Sequence, residues 1–283
     1  MPSVEEAAMS WTWAAACRRL VVVPALAVAV LGLATSPAQA ADPPGPNGHD
    51  ISHPQCDRPL PVGSAFGIVG IDDGLPFSTN PCLQAQYRWA TGRPSAAVYL
   101  NTGNPAPSSA YYWPASGRSD PALCVDSRST TDPGCAYDYG WHAAAYAVTA
   151  GRRLGPAVLG RTWWLDVETG NTWNGDGTSN TAVLQGMLDY LRDHGVARVG
   201  LYSTGYQWQR ITGGYTASSA AAYRTAWSPR VTPDYPLHAV PLWVAGGGSD
   251  GSAPAKCPTS FTGGPTEMVQ FVGKDGFDTN VRC

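Results

Sequence analysis

Apolar and polar positions follow two alternating periods through the first two thirds of the chain. Short runs rich in β-branched and aromatic residues predict strands over 66–71, 96–101, 163–168 and 198–203. Between them lie segments with helical spacing. The first is bracketed by Asn80-Pro81, an N-cap followed by a proline suited to the first turn, and by Gly92 as its stop; Leu83, Tyr87 and Ala90 share one face. A second helix is predicted over 137–150. The third runs over 180–194, where Val183, Leu184, Met187, Leu188 and Leu191 form a stripe and Gly195 ends it. Strand–helix–strand alternation implies parallel strands with right-handed crossovers. From 205 onward the pattern changes: strand-like pieces at 241–245 and 267–272 sit among Gly, Ser, Thr and Pro, without long amphipathic helices. The predicted class is α/β, a single TIM-like β/α barrel that is regular at first and mainly β in its last third.

The start of the chain has a different character. Arg18-Arg19, an apolar stretch from Leu20 to Ala34 and the triplet Ala38-Gln39-Ala40 read as a secretory signal over 1–40, leaving 41–283 as one barrel domain. That apolar stretch is short for a bilayer span, and nothing later approaches membrane length. Cys17 leaves with the signal. The six remaining cysteines, Cys56, Cys82, Cys124, Cys135, Cys257 and Cys283, imply disulfides in an exported protein. Proximity favours Cys124–Cys135 and Cys257–Cys283, which leaves Cys56–Cys82. No C-x-x-C or clustered histidine suggests a metal, and no cofactor is implied. With 18 Lys plus Arg against 21 Asp plus Glu, the chain lacks the charge to hold nucleic acid by bulk electrostatics.

The candidate chemistry centres on Trp164-Leu165-Asp166-Val167-Glu168. In a strand Asp166 and Glu168 share one face, with Cα atoms about 6.6 Å apart, twice the rise of roughly 3.3 Å. Buried carboxylates are costly without partners. The C-terminal end of a barrel strand, where solvent and substrate meet, is therefore the place for them. Paired carboxylates at that scale suit acid–base work on a glycosidic bond, without deciding between retention and inversion. Asp50 lies on an expected first strand and Asp278 follows the last strand-like run, so barrel closure would bring these acids together.

The segments HDISHPQC, FGIVGIDDG, WWLDVE, VGLYSTGYQW, LWVAG and VQFVGKDGFDTNV occur in the order found in glycoside hydrolase family 25, the muramidases. The chain resembles its secreted, cysteine-containing bacterial members over nearly its whole length after residue 40. The resemblance implies a flattened barrel of five β/α units and three further strands. It also implies cleavage of the β-1,4 link between N-acetylmuramic acid and N-acetylglucosamine in peptidoglycan. Carried over, Glu168 matches the general acid, with a pKa raised by its neighbour. Asp166 matches the partner that stabilises the charged intermediate or orients the N-acetyl group, and Asp50 and Asp278 match supporting carboxylates. The chain departs from the family at Val269-Gln270-Phe271, where a Trp is missing, at Gly70-Ile71-Asp72-Asp73-Gly74, and in a long insertion at 103–136.

That insertion, rich in Pro and Ser and carrying Tyr111-Tyr112-Trp113, follows a strand and precedes a helix. It is either a disulfide-pinned surface loop or part of the active face. Trp173, Tyr202 and Trp208 are candidates to stack on sugar rings, with at least one lining the cleft, and Asn101 could bond an N-acetyl group. His53 could support Asp50, while His49, His142 and His238 have no evident partners. The expectation is a secreted or wall-associated monomeric glycosidase acting on peptidoglycan. The alternatives are a non-catalytic wall-glycan binder on the same fold, and a hydrolase of another N-acetylated glycan such as chitin.

Overall fold

The computed structural model describes residues 47–107, 111–118 and 120–283, all within the unit Ala41–Cys283. The segment 1–40, expected to be a secretory signal, lies outside the described residues. Eight strands close a barrel in chain order: β1 (Gly48–Ile51), β2 (Phe66–Gly70), β3 (Ser95–Asn101), β4 (Thr162–Asp166), β5 (Arg198–Ser203), β6 (Leu242–Val244), β7 (Thr266–Val272) and β8 (Asp278–Arg282). Neighbours from β1 to β7 pair in parallel; β8 runs antiparallel to both β7 and β1. Asp278 therefore opens a final strand rather than following the last one. The turn at Gly273–Gly276 was absorbed into a loop by the sequence pattern because β8 carries charge at both ends.

The helices cover the barrel as the periodicity predicts, with shifts at their ends. Helix α1 (Leu83–Thr91) starts after Cys82, not at Asn80. Asn80 is a buried tie: its Nδ2 donates to the Gly70 carbonyl and to Gln86 Oε1, both at 2.8 Å. Helix α2 (Pro133–Arg152) begins earlier than predicted because Asp132 caps it, accepting from the Cys135 N–H at 3.0 Å. Helix α3 (Gly177–Asp193) buries the whole predicted stripe. Two short helices follow, α4 (Gly205–Thr212) and α5 (Ala220–Trp227). No helix among the described residues is long and apolar enough to cross a membrane.

Period-two alternation sorts each strand. Val98, Leu100, Trp163, Leu165, Val199 and Leu201 face the helices in the outer core, while Phe66, Ile68, Trp164, Tyr202, Trp243 and Met268 form a separate cluster inside the barrel. Gly200 leaves room for this filling, since a Cβ there would lie 2.3 Å from the Trp164 ring. Disulfides join Cys56–Cys82, Cys124–Cys135 and Cys257–Cys283. His49 does have partners: it faces out of the barrel, with Nδ1 2.7 Å from Ser64 Oγ and Nε2 3.3 Å from Asp275. His142 Nε2 lies 2.6 Å from the Asp120 carbonyl, and His238 Nδ1 lies 3.5 Å from the Tyr215 hydroxyl.

The seam between α2 and α3 is the tightest in the shell. A Cβ on Gly186 would come within 2.2 Å of the Tyr137 carbonyl oxygen, and one on Gly140 within 2.0 Å of the Val183 carbonyl oxygen. Backbone cannot yield there as a side-chain tip can, and overpacking costs roughly 1–3 kcal/mol. Gly186→Ala is accordingly expected to lower the melting temperature by roughly 5 °C, whereas Gly175→Ala, with open space around it, leaves it unchanged. Calorimetric scans of the two variants beside the parent check this.

Candidate active site

At the C-terminal ends of the parallel strands the barrel interior turns from aromatic to polar. Asp50, Tyr99, Asp166, Glu168, Tyr202, Trp243, Gln270 and Asp278 line a cleft of about 90 Å³ there. Asp166 is the last residue of β4 and faces inward. Glu168 sits two residues beyond the strand, half-buried at the start of the following loop. The pair thus straddles the strand end instead of lying within the strand.

Asp50 and Asp278 are register partners across the β1–β8 pairing. Asp50 is nearly enclosed and is held by amides: Asn280 Nδ2 donates at 2.6 Å, and Gln270 Nε2 donates to both carboxylate oxygens at 3.2 Å. Those amides are oriented in turn, because Tyr202 donates its hydroxyl to Gln270 Oε1 at 2.6 Å and Trp243 donates Nε1–H to Asn280 Oδ1 at 2.8 Å. Burial, and then the charge of Asp278, still push Asp50 up to about 7 against the pull of these donors. Burial also raises Asp278.

Asp166 is pushed well above the usual carboxylate range by burial first, then by the charges of Glu168, Asp72 and Asp50. Asn101 Nδ2 donates to its Oδ2 at 2.8 Å, while Oδ1 is shielded and has no hydrogen-bond partner. Asn101 thus does reach the acid pair, through Asp166. Glu168 is steadied from outside. Gln207 on α4 donates to its Oε1 at 3.3 Å, and Trp173 donates Nε1–H to its carbonyl at 2.8 Å.

Of the three aromatics proposed for sugar stacking, Tyr202 lines the cleft. Trp173 packs against the outer core and pins the Glu168 loop. Trp208 does not reach the site: it is 1% exposed, on the buried face of α4, with Nε1–H donated to the Tyr215 carbonyl and its ring against Phe261. The helical stripe of Trp208 and Ile211 turns it to the core. Nor does His53 support Asp50; its Nδ1 lies 3.5 Å from Asp73.

Sequence reasoning missed Asp72, Tyr99, Gln207, Trp243 and Asn280 as members of this neighbourhood, and saw Gln270 only as a departure. Their signal is phase: Tyr99 shares the inward register of Asn101, and Gln270 is the polar residue in Met268-Val269-Gln270-Phe271. Asp72, just past β2, accepts the Asn101 N–H at 2.7 Å and is lifted by burial to about 7.

The class these observations define is an eight-stranded α/β barrel with carboxylates gathered at its C-terminal mouth. Comparisons with known proteins refine that class. A family described as "Lys-1: Lysozyme-like protein 1" matches residues 156–227, from the turn before β4 to the end of α5. The "Probable GH family 25 lysozyme 4" of Dictyostelium discoideum is 41% identical over 56 residues, 20% of this chain and 25% of that protein. The chain therefore spans about a quarter of that relative's length in the match. The fold is similar to the bacterial lysozyme of Streptomyces coelicolor (TM-score 0.50, 18% identity, covering 83% of this chain and 91% of that one). It is also similar to the muramidase of Trichobolus zukalii (TM-score 0.51, 17% identity, covering 83% and 92%). The chain thus shares its barrel fold with these lysozyme and muramidase structures, and over a segment around β4 to α5 its sequence is similar to lysozyme-like proteins.

Asp50 and Asp72 keep their protons to about pH 7 when folded, against roughly 3.9 when unfolded. Between those values the folded state binds more protons, so stability falls as pH rises through the window. Asp72→Asn removes one contributor and is expected to flatten the decline by up to about 1.4 kcal/mol per pH unit. Urea unfolding at steps from pH 4.5 to 7.5 measures the slope; parallel slopes for variant and parent would refute the assignment.

Proposed function

We propose that this chain is an exported peptidoglycan hydrolase, with residues 1–40 removed as a signal and 41–283 acting as a monomeric barrel. It cleaves the β-1,4 bond between N-acetylmuramic acid and N-acetylglucosamine. The observation that carries the reading is the mouth of the barrel, where Asp50, Asp166, Glu168 and Asp278 converge on one cleft with Tyr202 and Trp243 beside them. Three disulfides among the described residues fit an oxidising compartment.

Glu168 is the general acid. It stands at the edge of the cleft, steadied by Gln207 and on a loop pinned by Trp173, where it can meet the glycosidic oxygen. Asp166 is its partner. With Oδ1 shielded and Oδ2 held by the Asn101 amide, its carboxyl is oriented beside the acetamido group of a bound ring. Asp50 and Asp278 sit across the cleft as supporting carboxylates; the amides around Asp50 keep it placed while burial limits its charge. The like charges near Asp166 favour a state in which the cluster shares protons, the condition general-acid chemistry near neutral pH requires.

The test is release of new reducing ends from purified Gram-positive peptidoglycan, read by mass spectrometry of the products. Glu168→Gln is expected to lower release at least about a hundredfold, with muramic acid at the new ends made by the parent. N-acetylglucosamine at those ends, or a variant as active as the parent, would overturn the assignment. A folded parent that binds wall but releases nothing would make the chain a glycan-binding protein.

A further inference from the structure

Beside the acid cleft, the loops after β2, β3 and β4 form a second groove of about 260 Å³. Its walls include Phe77, Tyr111, Tyr112, Thr102, Asn171 and Thr172, and no charged side chain lines it. The groove adjoins the acid pair through its backbone. The Thr102 N–H and hydroxyl donate to the Asp166 carbonyl at 3.2 and 2.6 Å, the Asn171 N–H donates to the Glu168 carbonyl at 3.2 Å, and the Asn104 N–H donates to the Thr172 carbonyl at 2.9 Å. The two loops that carry Asn101 and Glu168 thus continue as its floor.

The inner part of the aromatic wall packs on α2, where Phe77 meets Tyr139 and Tyr146 edge-on, but the outermost ring, Tyr111, is left in solvent. Phe77 stacks on Tyr112 with centroids 4.3 Å apart and planes at 9°, and Tyr111 stands edge-on to Tyr112 at 5.0 Å. Tyr111 is 94% exposed and Tyr112 46%, so Tyr111 stands almost wholly in solvent while Tyr112 is partly covered by Phe77. Phe77 is held at φ 62°, a left-handed conformation that a bulky side chain adopts only when its surroundings enforce it. Exposed aromatic clusters rimmed by polar groups mark ligand sites. Asn171 Nδ2 has no hydrogen-bond partner, leaving an amide donor beside the rings.

We propose that this groove is a distal carbohydrate subsite, in which the exposed Tyr111 ring, backed by Tyr112 and Phe77, stacks on a neutral N-acetylamino-sugar ring of the strand whose scissile bond lies in the acid cleft. The proposal rests on the hydrolase reading above. Absence of charge in the lining favours a neutral sugar over a stem peptide with its carboxylates and amines. Tyr111 and Tyr112 come from the insertion and Phe77 from the loop after β2, so the aromatic side of the subsite is separate from the acid constellation.

The test uses the disulfide-bonded protein with Glu168→Gln, titrated calorimetrically with N-acetylglucosamine hexamer and dimer. Tyr111→Ala, Tyr112→Ala and Phe77→Gly are each expected to weaken hexamer binding roughly tenfold and to leave dimer binding, which fills the acid cleft alone, unchanged. Phe77→Gly frees a strained backbone position, so loss of affinity without loss of melting temperature separates a platform from a packing role. In the active parent the same substitutions should raise KM on long glycan and spare kcat. Equal hexamer affinity in parent and variants, or no hexamer binding, overturns the subsite. Tyrosine-dependent hexamer binding in a parent that cuts no wall would sink the hydrolase reading and leave the subsite standing. Cleavage that depends on Glu168 but not on these rings would do the reverse.

Discussion

The pairing of β8 with β1 is the constraint on which the site depends. It closes the barrel, and in the same step it sets Asp278 opposite Asp50 and delivers Asn280 to the Asp50 carboxylate. Without closure Asp50 would be an edge-strand acid in water. With closure it loses hydration and gains amide donors from two further strands, Gln270 on β7 and Asn280 on β8. Hydrogen bonds to the charged form and loss of water oppose each other, and loss of water wins, since Asp50 rises to about 7. A carboxylate held there changes charge near neutrality while its position stays fixed by neighbours that do not titrate.

The barrel interior explains how such a mouth is tolerated. Below the acids, Phe66, Ile68, Trp164, Trp243 and Met268 fill the bore, and side chains of that size need relief at facing positions. Gly200 gives it to Trp164, and Gly70 gives it to Tyr99, whose ring would meet a Cβ there at 2.9 Å. The aromatic layer lies between the acids and the opposite end of the barrel, so the acids have apolar neighbours below and the cleft above. That asymmetry lifts Asp166, the innermost of the set, well above the usual range, while Glu168 remains at the rim. Trp243 serves both layers, packing below and orienting Asn280 above.

Much of this was legible in the residues, for an identifiable reason. Strands β2, β4 and β5 read as near-continuous apolar runs because bore and helices bury both faces, helix α3 carries a clean period because its stripe meets the barrel, and the pairing of Asp166 with Glu168 follows from strand phase. Proximity sufficed for Cys124–Cys135 and Cys257–Cys283, and Cys56–Cys82 is the pair that remains. What escaped depends on distant partners. Asn80 reads as a cap, and its Oδ1 does accept the Cys82 N–H at 3.0 Å just before α1, but its Nδ2 also ties the buried Gly70 carbonyl and Gln86, which only the fold brings near. Trp208 reads as a cleft aromatic because it follows β5 closely, yet the first turn of α4 rotates it into the core. Asp72 looks like a turn residue; only the fold shows that it carries the end of β3.

The acids and their surroundings answer to different pressures. Asp50, Asp166, Glu168 and Asp278 sit on or just beyond strand ends, where the ladder fixes their spacing and a change of one residue would turn a side chain to the other face. The groove beside them is built from loops pinned at few points: the Cys124–Cys135 bridge, the Asp138 carboxylate accepting the Leu123 and Cys124 N–H groups, and the carbonyls of Asp166 and Thr172. Loops on a rigid scaffold can change length and side chains without moving the acids. Asp138 makes the division physical. It anchors the insertion from α2, on the shell side of β3, so the aromatic wall is braced against the helices while the chemistry is braced against the barrel. Changes in what the wall recognises need not pass through the residues that hold the protons.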